Sequence, residues 1–233
     1  MQNNPHIESL RGGLIVSCQA PAGSPLDDAY IISAMALTAE RNGAVAVRIN
    51  TPSHIAATKL RVRVPVIGIE KVVTDGSDVY ITPTFEVAGR VADAGAEIIA
   101  VDATRRQRPS GERVELLIAR IQTELRRPVM ADIATLDEGL HAAGCGAAMV
   151  ATTLRGYTAE SRGARVPAFD LLENLARELD VPVICEGGIA SPEDVRRAFD
   201  CGAFAVVAGT AITGTGSLTR AFVKACPTTP GEK

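Results

Sequence analysis

The apolar positions of the chain fall into short unbroken runs separated by longer stretches of helical periodicity. Runs such as Val45-Ala46-Val47, Val66-Ile67-Gly68-Ile69 and Ile98-Ile99-Ala100-Val101 place no polar residue on alternate positions. Strands that bury both faces have this pattern, and they occur in parallel sheets covered by helices. Between the runs lie amphipathic segments of helix length, including 112–125 and 168–179. Some open on a plausible cap: Ser191-Pro192-Glu193-Asp194 sets a hydroxyl, a proline and two carboxylates where a helix begins.

Two local signatures punctuate this alternation. Asn42-Gly43-Ala44, Ala94-Gly95-Ala96, Cys145-Gly146-Ala147 and Cys201-Gly202-Ala203 each close a helical stretch just before an apolar run. Glycine just past a helix supplies the left-handed cap, and the small residue after it lets the chain turn into a strand. Val64-Pro65-Val66, Arg127-Pro128-Val129 and Val181-Pro182-Val183 put proline at the head of a run, where no ladder donor is yet needed. The two signatures alternate strictly and mark seven strand starts, and Leu14-Ile15-Val16-Ser17-Cys18-Gln19 ahead of them makes an eighth.

Eight βα units in 233 residues are the count and size of a (β/α)8 TIM barrel. A doubly wound sheet is the competitor, but the first turn here carries no Gly-rich phosphate fingerprint. The expectation is one α/β barrel domain over 1–233, with a poorly ordered leader at 1–11 and tail at 227–233. Segment 72–84 exceeds a normal βα loop and contains a β-like run, Val79-Tyr80-Ile81-Thr82, which reads as an elaborated loop over the active face. The last helix, around 217–225, has an apolar face that packs either on its own barrel or on a partner's.

In such a barrel the carboxyl ends of the strands carry the chemistry. In order they are Gln19, Arg48, Lys71, Asp102, Asp132, Thr152 and Glu186, followed by the turn Gly209-Thr210. Repeated polar endings on apolar runs are hard to explain by packing. Gly187-Gly188 after the seventh strand and Gly209-Thr210 after the eighth suggest a phosphate held on backbone N–H groups. Lys71 is the one lysine at a strand end. Beside a cation such as Arg48 its pKa falls, so it can act as a base or form a Schiff base. Cys18 and Cys185 alternate into the barrel wall and read as core. Arg105-Arg106-Gln107-Arg108 reads as a solvated loop.

Composition narrows the function classes. A net charge of −3 and 3% aromatic residues leave no basic stripe or stacking platform for nucleic acid. No apolar run is long enough to span a bilayer, and the start of the chain is not a signal peptide. Five scattered cysteines without a CxxC pair fit reduced thiols in a cytoplasm. The three histidines, His6, His54 and His141, lie off the strand ends, which disfavours a His-rich zinc site and a Ser-His-Asp triad. Proton chemistry then falls to carboxylates, to one of four lysines or to a lone histidine.

At the level of motifs, Ser17-Cys18-Gln19-Ala20, Ile81-Thr82-Pro83-Thr84, Asp102-Ala103-Thr104, Met130-Ala131-Asp132-Ile133-Ala134-Thr135, Thr152-Thr153-Leu154-Arg155-Gly156-Tyr157-Thr158 and Ile184-Cys185-Glu186-Gly187 closely resemble the N-acylglucosamine-6-phosphate 2-epimerase family. The resemblance runs from Gly12 to about Phe222. It implies a TIM barrel that interconverts N-acetylmannosamine 6-phosphate and N-acetylglucosamine 6-phosphate in bacterial use of sialic acid and amino sugars. It implies no metal and no redox cofactor, a phosphorylated amino sugar as ligand, and a homodimer. Lys71 falls on the family's catalytic lysine and Glu186 on its active-site glutamate, while Gln19, Arg48 and Asp132 fall on substrate-contacting positions.

The chain also departs from the family pattern. Gly188 and Gly214 stand where the family often carries arginine, and Arg155 stands where it usually carries a small residue. Arg155 is therefore expected to supply the missing charge to the phosphate, with Thr152 beside it at the substrate. The alternatives are a Schiff-base lyase or aldolase acting on a phosphorylated sugar through Lys71, and a phosphosugar-binding barrel without catalysis.

Overall fold

The computed structural model describes residues 4–109 and 111–227. Eight parallel strands close into a barrel in sequence order: β1 (Leu14–Cys18), β2 (Ala46–Asn50), β3 (Val66–Ile69), β4 (Ile98–Asp102), β5 (Val129–Asp132), β6 (Met149–Ala151), β7 (Val183–Glu186) and β8 (Ala205–Ala208). Helices α2 (Ala29–Arg41), α3 (Pro52–Lys59), α4 (Phe85–Asp93), α5 (Val114–Glu124), α6 (Leu136–Gly144), α7 (Phe169–Glu178) and α8 (Pro192–Asp200) follow the first seven strands in turn. The short α9 (Thr210–Thr213) and α10 (Thr215–Lys224) follow β8. This is the (β/α)8 barrel expected from the apolar pattern.

The punctuation acts as its chemistry requires. Gly43, Gly95, Gly146 and Gly202 all adopt positive φ, between 91° and 100°. The alanine after each returns its N–H to the carbonyl five residues back, as in Ala44 to Ala39 at 3.0 Å and Ala203 to Ala198 at 3.0 Å. That bond defines a Schellman cap. Pro65, Pro128 and Pro182 donate nothing, yet their carbonyls accept the N–H groups of Val47, Ile99 and Val150 on the preceding strands at 3.0–3.1 Å. Each proline thus enters the ladder by its acceptor alone.

Strand alternation sorts the core into two layers. Val47, Ile49, Ile99, Val101, Val183 and Cys185 point outward against the helices, and Cys18 lies in the same layer. Ile15, Ala46, Ile98, Ala100, Met130 and Ile184 fill the barrel interior. The same alternation turns Ser17, Arg48, Asp132 and Glu186 inward above that interior layer.

The floor of the barrel corrects one expectation. Residues 4–11, expected to be a poorly ordered leader, form helix α1 (Pro5–Glu8), capped by the Asn4 side chain, and a following turn. Ile7 and Leu10 are buried with the interior cluster, so burial holds this segment against the open lower end. Residues 1–3 and most of the expected tail, 228–233, lie outside the described residues. Among the described residues no helix is long and apolar enough to cross a membrane.

Candidate active site

The loop after β3 builds one wall of the site. Lys71 forms an antiparallel bridge with Ile81, and Val72 N–H donates to Tyr80 O at 2.9 Å, so the loop folds back on itself. Ile81 is buried with the barrel interior, and its carbonyl accepts from Asp102 N–H at 2.9 Å. Two threonines with positive φ frame this return, Thr51 at 74° and Thr82 at 44°. Such conformations are costly for a β-branched residue and persist only where neighbours enforce them. Thr82 clasps Glu70 from both sides, donating its N–H to Glu70 O at 2.9 Å and accepting Glu70 N–H on its hydroxyl at 3.2 Å. Lys71 N–H is tied to Asn50 Oδ1 at 2.9 Å. The lysine backbone is therefore fixed while its side chain reaches over the mouth.

Beneath it lies a buried charge cluster. Arg48 sits within β2, two residues before its end, and is 1% exposed. Its guanidinium forks onto Asp132, at 3.1 Å to Oδ1 and 2.6 Å to Oδ2, and donates to Glu186 Oε2 at 2.5 Å. Bidentate pairing is the strongest arrangement available to an arginine and a carboxylate. Burial works against the Arg48 charge, but the two carboxylates outweigh it and raise the pKa above its ordinary value. Arg48 is thus a permanent cation.

Glu186 and Lys71 are displaced toward one another. Burial raises the Glu186 carboxyl from 4.5 to about 7, with Asp132 adding to the rise and Arg48 opposing it. Lost hydration and the Arg48 charge lower the Lys71 ammonium, while Glu186 and Asp132 pull it back. Lys71 Nζ donates to Gln19 Oε1 at 2.7 Å, and Gln19 Nε2 donates to Ser17 Oγ at 2.8 Å, which fixes the amide orientation. An acid shifted up beside a base shifted down is the arrangement that proton transfer near neutral pH requires.

These groups open into a cavity of about 690 Å3 at the carboxyl ends of the strands, lined by Ser17, Gln19, Arg48, Lys71, Thr153 and Glu186. Gly187, Gly188, Gly209 and Thr210 line the same cavity beside β7, β8 and β1. Tyr80 and Tyr157 stand at its rim. A larger depression of about 1180 Å3 lies at the opposite, amino-terminal end around α1 and the starts of β5, β7 and β8, away from this cluster. Barrel chemistry sits at the carboxyl face, where Lys71 and Glu186 line the cavity. Among the described residues no group of His, Cys, Asp and Glu is arranged to hold a metal ion.

Several expected site residues take other roles in the structure. Thr152 is fully buried, and its hydroxyl donates to Glu186 O at 2.9 Å and accepts Glu186 N–H at 3.1 Å. It braces the glutamate backbone rather than facing the cavity. Arg155 does not line the cavity; its guanidinium lies 3.3 Å from Ala134 O and 3.4 Å from Asp170 Oδ2. The turn after Thr153 carries that side chain outward, so the structure does not bring it to the glycine-lined end. Asp102 is occupied by Thr104, at 2.7 Å, and by Arg106, at 2.6 Å. Arg106 and Arg108, expected in a solvated loop, are instead packed down: Arg108 is 3% exposed and donates to Asp102 O. Thr153, not expected at the site, has its hydroxyl between Asp132 and Glu186; its place next to Thr152 at a strand end was its only signal in the sequence.

Gly188 has a conformational reason to be glycine. Its φ is +75°, and a Cβ there would stand 2.9 Å from Val166 Cβ and 3.0 Å from Pro167 N. Gly188→Ala is expected to cost about 1–3 kcal/mol, lowering the melting temperature by about 3–8 °C, read by calorimetry. An unchanged melting temperature would refute the packing argument. By the same geometry, placing an arginine here requires the 166–167 segment to move.

Fold and site together define a class: a (β/α)8 barrel whose carboxyl face gathers a lysine, a glutamate and a buried arginine in one cavity. The particular family follows from likeness to known proteins. Residues 32–228 match the family model described as "Putative N-acetylmannosamine-6-phosphate epimerase", and the chain belongs to that family. Relatives named "Putative N-acetylmannosamine-6-phosphate 2-epimerase" include one from Synechococcus elongatus, 49% identical over 232 residues, covering 99% of this chain and 100% of the other. Another, from Thermosynechococcus vestitus, is 54% identical over 205 residues, covering 88% of this chain and 89% of its own. The solved N-acetylmannosamine-6-phosphate 2-epimerase from Clostridium perfringens superposes with a TM-score of 0.92 at 39% identity, covering 97% of this chain and 98% of that one. Thiamine phosphate pyrophosphorylase from Pyrococcus furiosus, at 15% identity and a TM-score of 0.60, shares the fold alone.

Proposed function

We propose that the chain is an isomerase that interconverts N-acetylmannosamine 6-phosphate and N-acetylglucosamine 6-phosphate by removing and returning the proton at C2. The observation that carries this reading is the convergence of Lys71, Glu186, Arg48 and Gln19 on one cavity at the carboxyl face, with Arg48 donating to Glu186 and Lys71 to Gln19; the Lys71 pKa is lowered and that of Glu186 raised, which supports it. In the open-chain sugar C2 is α to the C1 carbonyl, so its proton is acidic enough to remove once the enolate is stabilised. Lys71 takes that proton as base and returns it as acid, and Glu186 is its proton partner. Arg48 and Gln19 place positive charge and a polar amide where the enolate oxygen develops. Asp132, expected at the sugar, is fully buried off the cavity lining with both oxygens taken by Arg48 and Thr153, so it holds the arginine in place instead, and Thr152 supports Glu186 from behind. The phosphate takes the glycine-lined end, at Gly187, Gly188, Gly209 and Thr210. The chemistry uses only these side chains. Membership of the family favours neither the lyase nor the non-catalytic alternative.

Started from either sugar phosphate, the purified protein is expected to drive the solution to the same mixture of the two, followed by NMR of the anomeric protons. Either sugar left unchanged would contradict the reading.

The partner proposed is a second copy of the chain. On α10 Leu218, Phe222 and Val223 are 37%, 74% and 63% exposed, and Ile212 on α9 is 51% exposed. An apolar stripe of this extent on one helix wants cover, and a homodimer supplies it. Phe222→Asp is expected to shift the particle from two chains to one in light scattering. A parent protein that already runs as one chain would overturn the proposal. The five free cysteines fit a reducing compartment, the cytoplasm.

A further inference from the structure

One polar contact in the site has no part in the steps above. Thr153 Oγ1 lies 2.6 Å from Asp132 Oδ1 and 3.2 Å from Glu186 Oε2. A threonine hydroxyl carries a single proton, so two carboxylates converge on one donor. Glu186 Oε2 also receives an N–H from Arg48. Among the described residues none donates to the other oxygen, Oε1. The carboxylate is therefore held by one oxygen and leaves the second for whatever occupies the cavity, and Thr153 and Glu186 both line that cavity.

We propose that Thr153 is a positioning residue for Glu186: its hydroxyl, shared with Asp132, pins Oε2 and turns Oε1 toward the sugar. The charged groups facing Glu186 are Arg48 from β2, Lys71 beyond β3 and Asp132 from β5, and Thr153, just past β6, is the neutral donor that completes the ring. Arg48 alone cannot set the rotation of the carboxylate, because a single N–H contact leaves it free to swing. A second donor on the same oxygen removes that freedom. The hydroxyl also stabilises the charged form of Glu186, in the same sense as Arg48 and against burial and Asp132. Its loss therefore moves the glutamate titration upward.

The kinetic arm of this inference rests on the epimerase reading; the titration arm does not. Thr153→Val keeps the branched shape and removes the hydroxyl, while Thr153→Ser keeps the hydroxyl. Turnover of N-acetylmannosamine 6-phosphate is measured across pH for the parent and both variants. In parallel, the Glu186 carboxyl is titrated by 13C NMR in protein labelled at the glutamate side-chain carboxyls, its signal assigned by its absence in Glu186→Gln. Thr153→Val is expected to lower kcat by about tenfold, the size of one hydrogen bond to a charged group. KM should stay within about threefold, since uniform binding is not touched. The Glu186 titration moves to higher pH, and Thr153→Ser restores both. An unchanged titration would overturn the proposal, and so would a downward shift, which would mean that the hydroxyl accepts a hydrogen bond from the protonated Glu186 carboxyl. A raised KM with kcat intact would also overturn it, making Thr153 a substrate contact instead. If the parent itself converts no sugar phosphate, the epimerase reading fails and the titration still decides the role of Thr153.

Discussion

Replacing Lys71 with alanine is expected to slow proton exchange at C2 of the sugar phosphate by about 10²–10⁴-fold, the contribution of a positioned general base. The fold should survive. Lys71 stands at the rim of the barrel, and its backbone is tied by Asn50 and Ile81, neither of which uses the lysine side chain. The side chain donates to Gln19 and is lowered by lost hydration and by Arg48. Burial first and the Arg48 charge second both favour the neutral amine, the form the proposed base needs. Exchange rate and thermal melt should separate cleanly. A variant that exchanges at the parent rate would remove Lys71 from the mechanism, whereas one that loses both rate and fold would make it a structural residue.

Replacing Arg48 with methionine is expected to destabilise the fold, by about 3–5 kcal/mol above neutral pH, the usual cost of breaking a buried ion pair from one side. The change leaves Asp132, fully buried, and Glu186 facing one another without the guanidinium that both use. The sign of the pH dependence follows from the carboxyls. Glu186 already has its folded pKa raised from 4.5 to about 7, so its ionisation costs stability as pH rises through that window. Without Arg48 the folded pKa rises further. The deficit of the variant is then largest at pH 8 and shrinks toward pH 5, where the glutamate is protonated. Urea unfolding at the two pH values measures it. Asp132→Asn added to Arg48→Met should recover part of the loss. A deficit independent of pH would show that packing, not charge, is what Arg48 supplies.

The parts of this molecule that could be read in the sequence are those set by local chemistry. Gly43, Gly95, Gly146 and Gly202 cap helices because only a few residue types take a left-handed φ cheaply. Pro65, Pro128 and Pro182 head strands because a missing N–H is tolerated there, and the carbonyls of all three join the ladder. Arg48, Asp132 and Glu186 stood out because apolar runs end on them at the carboxyl face of the barrel, and the three turned out to be each other's partners. What could not be read depends on direction in space. Arg155 was expected at the phosphate, but the turn after β6 sends it to Ala134 and Asp170. Arg106 and Arg108 looked like a solvated run until Asp102 proved to be their partner. The segment at 4–11 has ordinary leader composition, and only the open end of the barrel gives Ile7 and Leu10 a place to bury. Thr153 differs from Thr152 by one step of the chain, yet one braces a backbone while the other holds two carboxylates.

Proton transfer at one carbon is the step that defines this enzyme class. N-acetylmannosamine 6-phosphate is incubated with the parent protein in deuterium oxide, and C2 is followed by NMR. Deuterium entering at C2 together with the gluco epimer is the predicted result, lost in Lys71→Ala. Epimer formed with the C2 proton fully retained would contradict deprotonation by a solvent-exchanging lysine, and bound sugar with neither exchange nor epimer would contradict catalysis at this site altogether.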